Sequence, residues 1–320
     1  MTTPVGLNVI NAAARRIAGV VRRTPLVDVS GPAQCTLALK CENLQVAGAF
    51  KIRGAYNLVA QFASEMPGRG VITYSSGNHA QAVAYAAREL GLHAVVVMPE
   101  TAPRIKVEGA RSYGAEVLFE GTTSIARRGR AEAEAEVRGL TVVPPFDHSE
   151  IIAGQGTVGL EILEDHSALK TIYVPVGGGG LISGIAAAVK QMQRDVRIVG
   201  VEPVGAAAMA ASIAAGTPVT LDSVASVADG LLPVRPGDLT FAHVAALVDD
   251  IVTVDDDAIV QAVRWLAARA KLVVEPSGAV TVAATLFASD VDRAVDGNTV
   301  AVLSGGNVAL ESLARMLGGR

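Results

Sequence analysis

Along this chain the apolar positions switch repeatedly between the period of a helix and that of a strand. The spacing predicts a helix over 8–21, ending near Thr24-Pro25, a short strand over 37–41, and a helix over 50–62. In that helix Phe50, Ala55, Leu58, Val59 and Phe62 recur at helical intervals. From Gly70 onward the two periods alternate. Strands are predicted over 70–74, 93–98, 115–119 and 140–143, and helices over 80–90, 103–113 and 123–137. Gly91, Pro99 and Gly114 supply the stops, and Pro144-Pro145 closes the run. A second series follows, with helices over 154–164, 181–193, 206–215, 255–270 and 279–287 and one after Asn307. Its strands lie over 171–176, 196–201, 252–254 and 299–303. Strand–helix alternation of this kind predicts parallel sheet. The expected fold class is α/β, with two open, mostly parallel sheets and a ligand site between them, outside the strands' carboxyl ends.

The most informative stretch is Thr171-Ile-Tyr-Val-Pro-Val-Gly177-Gly-Gly-Gly-Leu181, read as a buried strand, four glycines and a helix start. Four glycines carry an entropic cost in any regular element, and two would suffice for a tight turn. They do let bare backbone N–H groups approach an anion, and the helix N-terminus behind them adds its own N–H groups and partial positive charge. The layout is that of a phosphate site. A nucleotide P-loop needs G-x-x-x-x-G-K-[ST], which is absent, and no lysine follows until Lys190. A dinucleotide fingerprint needs G-x-G-x-x-G, and its last position falls on Ile182 or Ser183. Glu202, at the end of the next strand, nevertheless stands where a ribose-binding acid would. The third owner is a cofactor with one phosphate, such as pyridoxal phosphate, which needs a Schiff-base lysine and a partner for its pyridine nitrogen.

Two more turns of this kind follow predicted strands, Ser75-Ser-Gly-Asn-His79 and Ser304-Gly-Gly-Asn307. A serine or asparagine at one such turn is more often a helix cap. Three glycine-flanked polar turns in one chain point to a shared site.

The totals narrow the function. Net charge is −4, with no basic block, so nucleic-acid and membrane-surface roles lose their electrostatic footprint. No apolar run reaches the ~20 residues that span a bilayer. Two cysteines, Cys35 and Cys41, form no metal or disulfide framework. With no secretory leader pattern, a cytoplasmic location is expected.

Five segments, in this order, resemble fold-type II pyridoxal-phosphate enzymes of the threonine/serine dehydratase and serine racemase branch. They are Asn43-Leu-Gln-Val-Ala-Gly-Ala-Phe-Lys51-Ile-Arg-Gly-Ala, Ser75-Ser-Gly-Asn-His-Ala-Gln81, Ile152-Ala-Gly-Gln-Gly-Thr157, Gly177-Gly-Gly-Gly-Leu181 and Ser304-Gly-Gly-Asn307. The resemblance runs from about Thr24 to Asn307. It implies a cofactor-binding domain made of 1–68 and 148–320, and a small α/β domain of 69–147. It implies that Lys51 carries the cofactor beside Phe50. Without it, a lysine between Phe50 and Ile52 reads as a snorkelling surface residue. It implies that Gly177, Gly178, Gly179, Gly180 and Leu181 hold the phosphate, that Asn78 meets the cofactor's 3′-oxygen, and that Ser304 faces the pyridine nitrogen. Ser75, Ser76, Gly77 and His79 would receive the substrate carboxylate. A hydroxyl cannot keep the pyridine nitrogen protonated as a carboxylate can, which suits prompt loss of a β-leaving group.

The implied reaction is β-elimination of a 3-hydroxy amino acid such as L-threonine or L-serine, giving a 2-oxo acid and ammonia, in a homodimer. Lys51 would remove the Cα proton. The alternative within the family is a serine or aspartate racemase, with Ser76 as proton donor on the face opposite Lys51. The alternative outside it is a nucleotide-binding protein built on the tetraglycine and Glu202. Three departures from the family pattern stand out. Ala49 replaces the serine many relatives carry two residues before the lysine. Phe146 is more dehydratase-like than racemase-like. Ala208 lacks the second acid of the family's divalent-cation loop, so no metal is assigned. The chain stops at Arg320, 13 residues after Asn307, so isoleucine feedback through a separate effector domain is not expected.

Overall fold

The computed structural model describes residues 3–318 apart from 33–34, 67, 76, 103, 122–123 and 289–296. Its strands are β1 (Leu26–Ser30), β2 (Thr36–Cys41), β3 (Val71–Tyr74), β4 (Ala94–Met98), β5 (Glu116–Phe119), β6 (Thr141–Val142), β7 (Thr171–Pro175), β8 (Arg197–Pro203), β9 (Asp250–Val254) and β10 (Thr299–Leu303). They form two sheets, one in the order β1-β2-β10-β7-β8-β9 and one in the order β5-β4-β3-β6. Every pairing is parallel except β1 with β2, where Leu26 lies opposite Lys40. The expected pair of mostly parallel sheets is therefore present.

Both faces of each sheet are covered, which is why the strands read as near-continuous apolar runs. In the six-stranded sheet Ile172, Val174, Val300 and Val302 face Leu181, Ile185 and Val189 of the helix Gly180–Met192. Tyr173, Ala301 and Leu303 face the opposite way, onto the helices Asp256–Trp265 and Pro276–Val282. The four-stranded sheet does the same. Val71, Val96 and Met98 meet the helices Lys51–Glu65 and Asn78–Glu89, while Ile72, Val95 and Val97 meet Ala131 of Ser124–Arg138.

The helix Lys51–Glu65 is the joint between the two layers. Its Ile52, Ala55, Leu58 and Val59 pack with the four-stranded sheet. Its Gly54 crosses the helix Ser149–Asp165 at Gly154, where a Cβ on Gly154 would lie 2.5 Å from Gly54 Cα. Only glycine permits that approach of two backbones. The same helix is pinned by a buried ion network. The Arg53 guanidinium reaches Glu42 (Nε to Oε2, 2.8 Å; Nη2 to Oε1, 2.8 Å), Glu161 (Nη1 to Oε1, 2.7 Å) and Thr157 (Nη1 to Oγ1, 3.0 Å), and Arg53 and Glu42 are both fully buried. Lys40, also fully buried, donates to the other oxygen of Glu161 at 2.6 Å.

Two elements depart from the pattern-based expectation. The edge strand β1 was not expected, and it alone runs antiparallel. The helix Asp238–Leu247 was not expected either. Its N-terminal N–H groups are satisfied from far away, by the Asp147 carboxylate, which accepts from Asp238, Leu239 and Thr240 at 3.0–3.1 Å.

Candidate active site

Three strand ends converge on one region. The loop after β3 carries Ser75, Gly77 and Asn78, that after β7 carries the tetraglycine, and that after β10 carries Ser304 and Asn307. Phe50, immediately before the helix that begins at Lys51, joins them, its N–H donating to Ser304 O at 3.1 Å. Ala49 forms an antiparallel bridge with Gly305. The loop bearing Lys51 and the loop bearing Ser304 are thus tied backbone to backbone.

The Lys51 amine donates to Pro145 O at 2.8 Å and lies 5.1 Å from the centre of the Phe50 ring. Burial pushes its pKa down to about 8, against the opposing field of the Glu275 carboxylate. A lysine in that condition can exist as free amine near neutrality, as a nucleophile or base requires. The segment that accepts its hydrogen bond does two other jobs. Phe146 lies across the glycine loop, so close that a Cβ on Gly178 would fall 2.3 Å from its ring. Asp147 caps the helix Asp238–Leu247, whose Thr240 hydroxyl donates to Gly178 O at 2.7 Å.

The glycine loop is held by its carbonyl side and left open on its N–H side. Gly179 has φ +91°, a conformation that a side chain would strain. None of the N–H groups of residues 177–181 has a protein acceptor among the described residues. Five acceptor-free N–H groups at the start of a thirteen-residue helix form a cradle for an anion.

Asn78 is fixed at both ends of its amide. Nδ2 donates to Glu275 Oε1 at 2.6 Å, and Oδ1 accepts from Asn307 Nδ2 at 2.9 Å. Burial raises the Glu275 carboxyl to about 7, Asp229 pushing it further up and Lys106 and Asn78 pulling it down. Sequence reasoning missed Glu275. The available signal was an acid set between Val274 and Pro276 at a helix start. Ser304 is buried, and among the described residues its hydroxyl has only a long contact, 3.4 Å, to Ser277 O.

Ser75 Oγ accepts from the Gly77 N–H at 3.3 Å, so the loop after β3 is folded on itself. Ser76 lies outside the described residues. His79 is buried behind the loop. Its Nε2 lies 3.1 Å from Val143 O, a carbonyl that can only accept, so Nε2 carries a proton, and the lowered pKa keeps the ring neutral. Burial first and the Lys51 charge second push its pKa down to about 3. Its side chain faces the β3–β6 edge, and Nδ1 has no partner among the described residues. Glu202, the acid of the nucleotide alternative, is fully buried. Its two oxygens accept the N–H groups of Met209 and Ala210 at 2.9 and 2.8 Å. It caps the helix Ala208–Ala215 and presents no free oxygen to a ribose.

A family model described as pyridoxal-phosphate dependent enzyme matches residues 17–305. The chain belongs to that family. It is 42% identical over 317 residues to an L-threonine ammonia-lyase of Thermotoga maritima, covering 98% of this chain and 78% of the relative. It is also 42% identical over 307 residues to a serine racemase of Oryza sativa subsp. indica, covering 94% of this chain and 90% of the relative. Among solved structures, maize serine racemase superposes with a TM-score of 0.92 at 40% identity, covering 98% of this chain and 97% of that one. Pyridoxal phosphate is the cofactor of this fold-type II enzyme, and the site fits it. The acceptor-free N–H groups of residues 177–181 suit a phosphate, and an amine with a depressed pKa stands within the same cluster of strand ends.

Proposed function

We propose that the protein is a 3-hydroxy amino-acid ammonia-lyase, converting L-threonine or L-serine to a 2-oxo acid and ammonia. The observation that carries this reading is the presence in one site of the Lys51 amine, pushed down to about 8, and the Ser304 hydroxyl at the end of β10, their loops tied by the Phe50 N–H to Ser304 O bond. The similarity to a threonine ammonia-lyase over 98% of the chain supports it. When bound, pyridoxal phosphate supplies an electron-accepting ring that stabilises negative charge at the substrate's Cα. The N–H groups of residues 177–181 hold its phosphate, Asn78 its 3′-oxygen, Ser304 its ring nitrogen, and Phe50 packs beside it. The Lys51 amine takes the Cα proton. The β-hydroxyl then leaves as water with the proton that Lys51 removed, and the resulting enamine tautomerises to an imine whose hydrolysis gives the 2-oxo acid and ammonia. Ser75, Ser76 and Gly77 receive the substrate carboxylate. His79 keeps this loop's base in place through Val143, its ring neutral at working pH.

The division of labour follows the sheets. Residues 1–68 and 148–320 form the cofactor-binding domain, and 69–147 the small domain. Among the described residues no helix is long and apolar enough to cross a membrane. The enzyme works as a homodimer in the cytoplasm, which sedimentation of the holoenzyme and cell fractionation would check.

The 42% identity to a serine racemase favours a second reading, racemisation of serine or aspartate with Ser76 returning a proton on the face opposite Lys51. A screen of 3-hydroxy amino acids, scoring 2-oxo acid and ammonia alongside solvent deuterium at Cα of recovered substrate, separates the two. Ammonia in excess over inverted substrate supports the lyase. Inversion without ammonia overturns it.

A further inference from the structure

Thr240 is fully buried, and its N–H, hydroxyl and carbonyl each bond a different segment. The N–H donates to Asp147 Oδ1 at 3.1 Å, the hydroxyl donates to Gly178 O at 2.7 Å, and the carbonyl accepts from the Ser183 hydroxyl at 3.3 Å. Gly237 O, at 3.2 Å, is the more distant acceptor of the same hydroxyl. The link to Asp147 is the remote one. The helix Asp238–Leu247 starts behind Gly237, which offers no capping side chain. Asp147 caps it instead, accepting from Asp238 with one oxygen and from Leu239 and Thr240 with the other. Gly237 leaves the room, since a Cβ there would lie 2.2 Å from Asp147 Cγ. A carboxylate on these N–H groups also meets the positive end of the helix.

The link to Gly178 bears on the anion cradle. A peptide unit is planar and trans, so the Gly178 carbonyl and the Gly179 N–H point opposite ways. A hydroxyl that holds the carbonyl therefore turns that N–H away from Thr240. The Gly179 N–H is one of the five in the loop that have no protein acceptor among the described residues. Packing is close as well, because a Cβ on Gly179 would lie 2.9 Å from Thr240 Cβ. A shift of Thr240 is thus passed to the loop.

We propose that Asp147 is a positioning residue for the cofactor's phosphate: by capping the helix Asp238–Leu247 it places Thr240, whose hydroxyl turns the Gly178–Gly179 peptide so that its N–H faces the anion. The inference rests on the reading that residues 177–181 hold the phosphate. A cap that only held the fold together would weaken every ligand of the site alike. One that aims an N–H group acts on the phosphate alone.

The test titrates the ligand-free protein with pyridoxal phosphate and, separately, with pyridoxal, which lacks the phosphate. Asp147→Ala and Thr240→Val should each bind pyridoxal phosphate about tenfold more weakly and pyridoxal within about twofold of wild type. Thr240→Ser keeps the hydroxyl and should stay within about twofold for both ligands. Asp147→Asn keeps one acceptor oxygen, so its loss should be about threefold and confined to pyridoxal phosphate. Phe146 neighbours Asp147 and also touches Gly178, so the double variant Asp147→Ala with Thr240→Val decides the route. If Asp147 acts through Thr240, the two losses do not add. Equal weakening of both ligands would overturn the proposal, as would unchanged pyridoxal phosphate affinity in Asp147→Ala or losses that add in the double variant. If Asp147→Ala does not fold, Asp147→Asn takes its place in the double variant, and the same outcomes decide. Wild type that binds pyridoxal as tightly as pyridoxal phosphate would mean that the phosphate reading itself has failed. The tie is then judged by the Gly179 amide resonance of glycine-labelled protein: displacement in the Asp147 variant supports it, and an unmoved resonance overturns it.

Discussion

Asn78 Nδ2 and Glu275 Oε1 meet at 2.6 Å across 197 positions of sequence. The other end of the amide accepts from Asn307, so flipping the side chain would break both bonds. A buried acid thereby fixes the orientation of Asn78, the residue proposed to meet the cofactor's 3′-oxygen, and its own protonation becomes part of the site.

That carboxyl is raised to about 7, chiefly by burial, so the ligand-free folded protein holds its proton more tightly than the unfolded chain does. The sign follows: stability is greatest below about pH 4.5 as far as this group is concerned, and falls as pH rises towards 7. The shift is worth at most about 3 kcal/mol. Urea unfolding of the ligand-free protein from pH 5 to 7.5 should show that decline, and Glu275→Gln should flatten it while keeping the oxygen that Asn78 needs. Equal slopes in the two proteins would show that Glu275 does not titrate here.

Gly178→Ala places a Cβ against the Phe146 ring at 2.3 Å, so either the ring or the loop must move. Overpacking of this kind costs about 1–3 kcal/mol. If the loop gives way, pyridoxal phosphate should bind roughly 5- to 150-fold more weakly, read by titrating the ligand-free protein with the cofactor. Unaltered affinity would mean that the loop's backbone does not hold the phosphate.

Arg53→Met leaves the buried Glu42 carboxylate without its main counter-charge. Breaking such a pair costs about 3–5 kcal/mol. Denaturant unfolding should report that loss. Because Lys51 stands two residues earlier on the same helix, cofactor affinity should fall too.

Ser304→Ala removes a hydroxyl that has only a 3.4 Å protein contact and is available to a stronger acceptor or donor. One hydrogen bond to a buried nitrogen is worth about 1–3 kcal/mol. Turnover should fall roughly 5- to 150-fold if all of it is felt in the transition state. Unchanged kinetics and visible spectrum would make Ser304 no more than a link in the loop after β10.

Local signals carried most of this architecture. The strands β3, β4, β7 and β10 are short, largely apolar runs, and the three glycine-containing turns behind β3, β7 and β10 stand out by composition. What escaped is non-local. The helix Asp238–Leu247 takes its cap from Asp147, some ninety positions earlier, so its start shows no nearby capping side chain. β1 is a short edge strand between Thr24-Pro25 and Gly31-Pro32, paired with β2 on one side. Glu275 reads as an acid before a helix, and only the fold brings Asn78 to it. His79 sits in a loop motif by sequence, yet its ring turns inward to Val143.

On the lyase reading, Lys51 carries pyridoxal phosphate and moves the Cα proton. Borohydride reduction of the holoenzyme, followed by peptide mapping, tests it most directly, with Lys51→Ala as the control. A single pyridoxyl label on Lys51 is expected, with a folded Lys51→Ala variant that takes no label and turns over no substrate. Label on Lys106 or any other lysine, or turnover by Lys51→Ala, would contradict it.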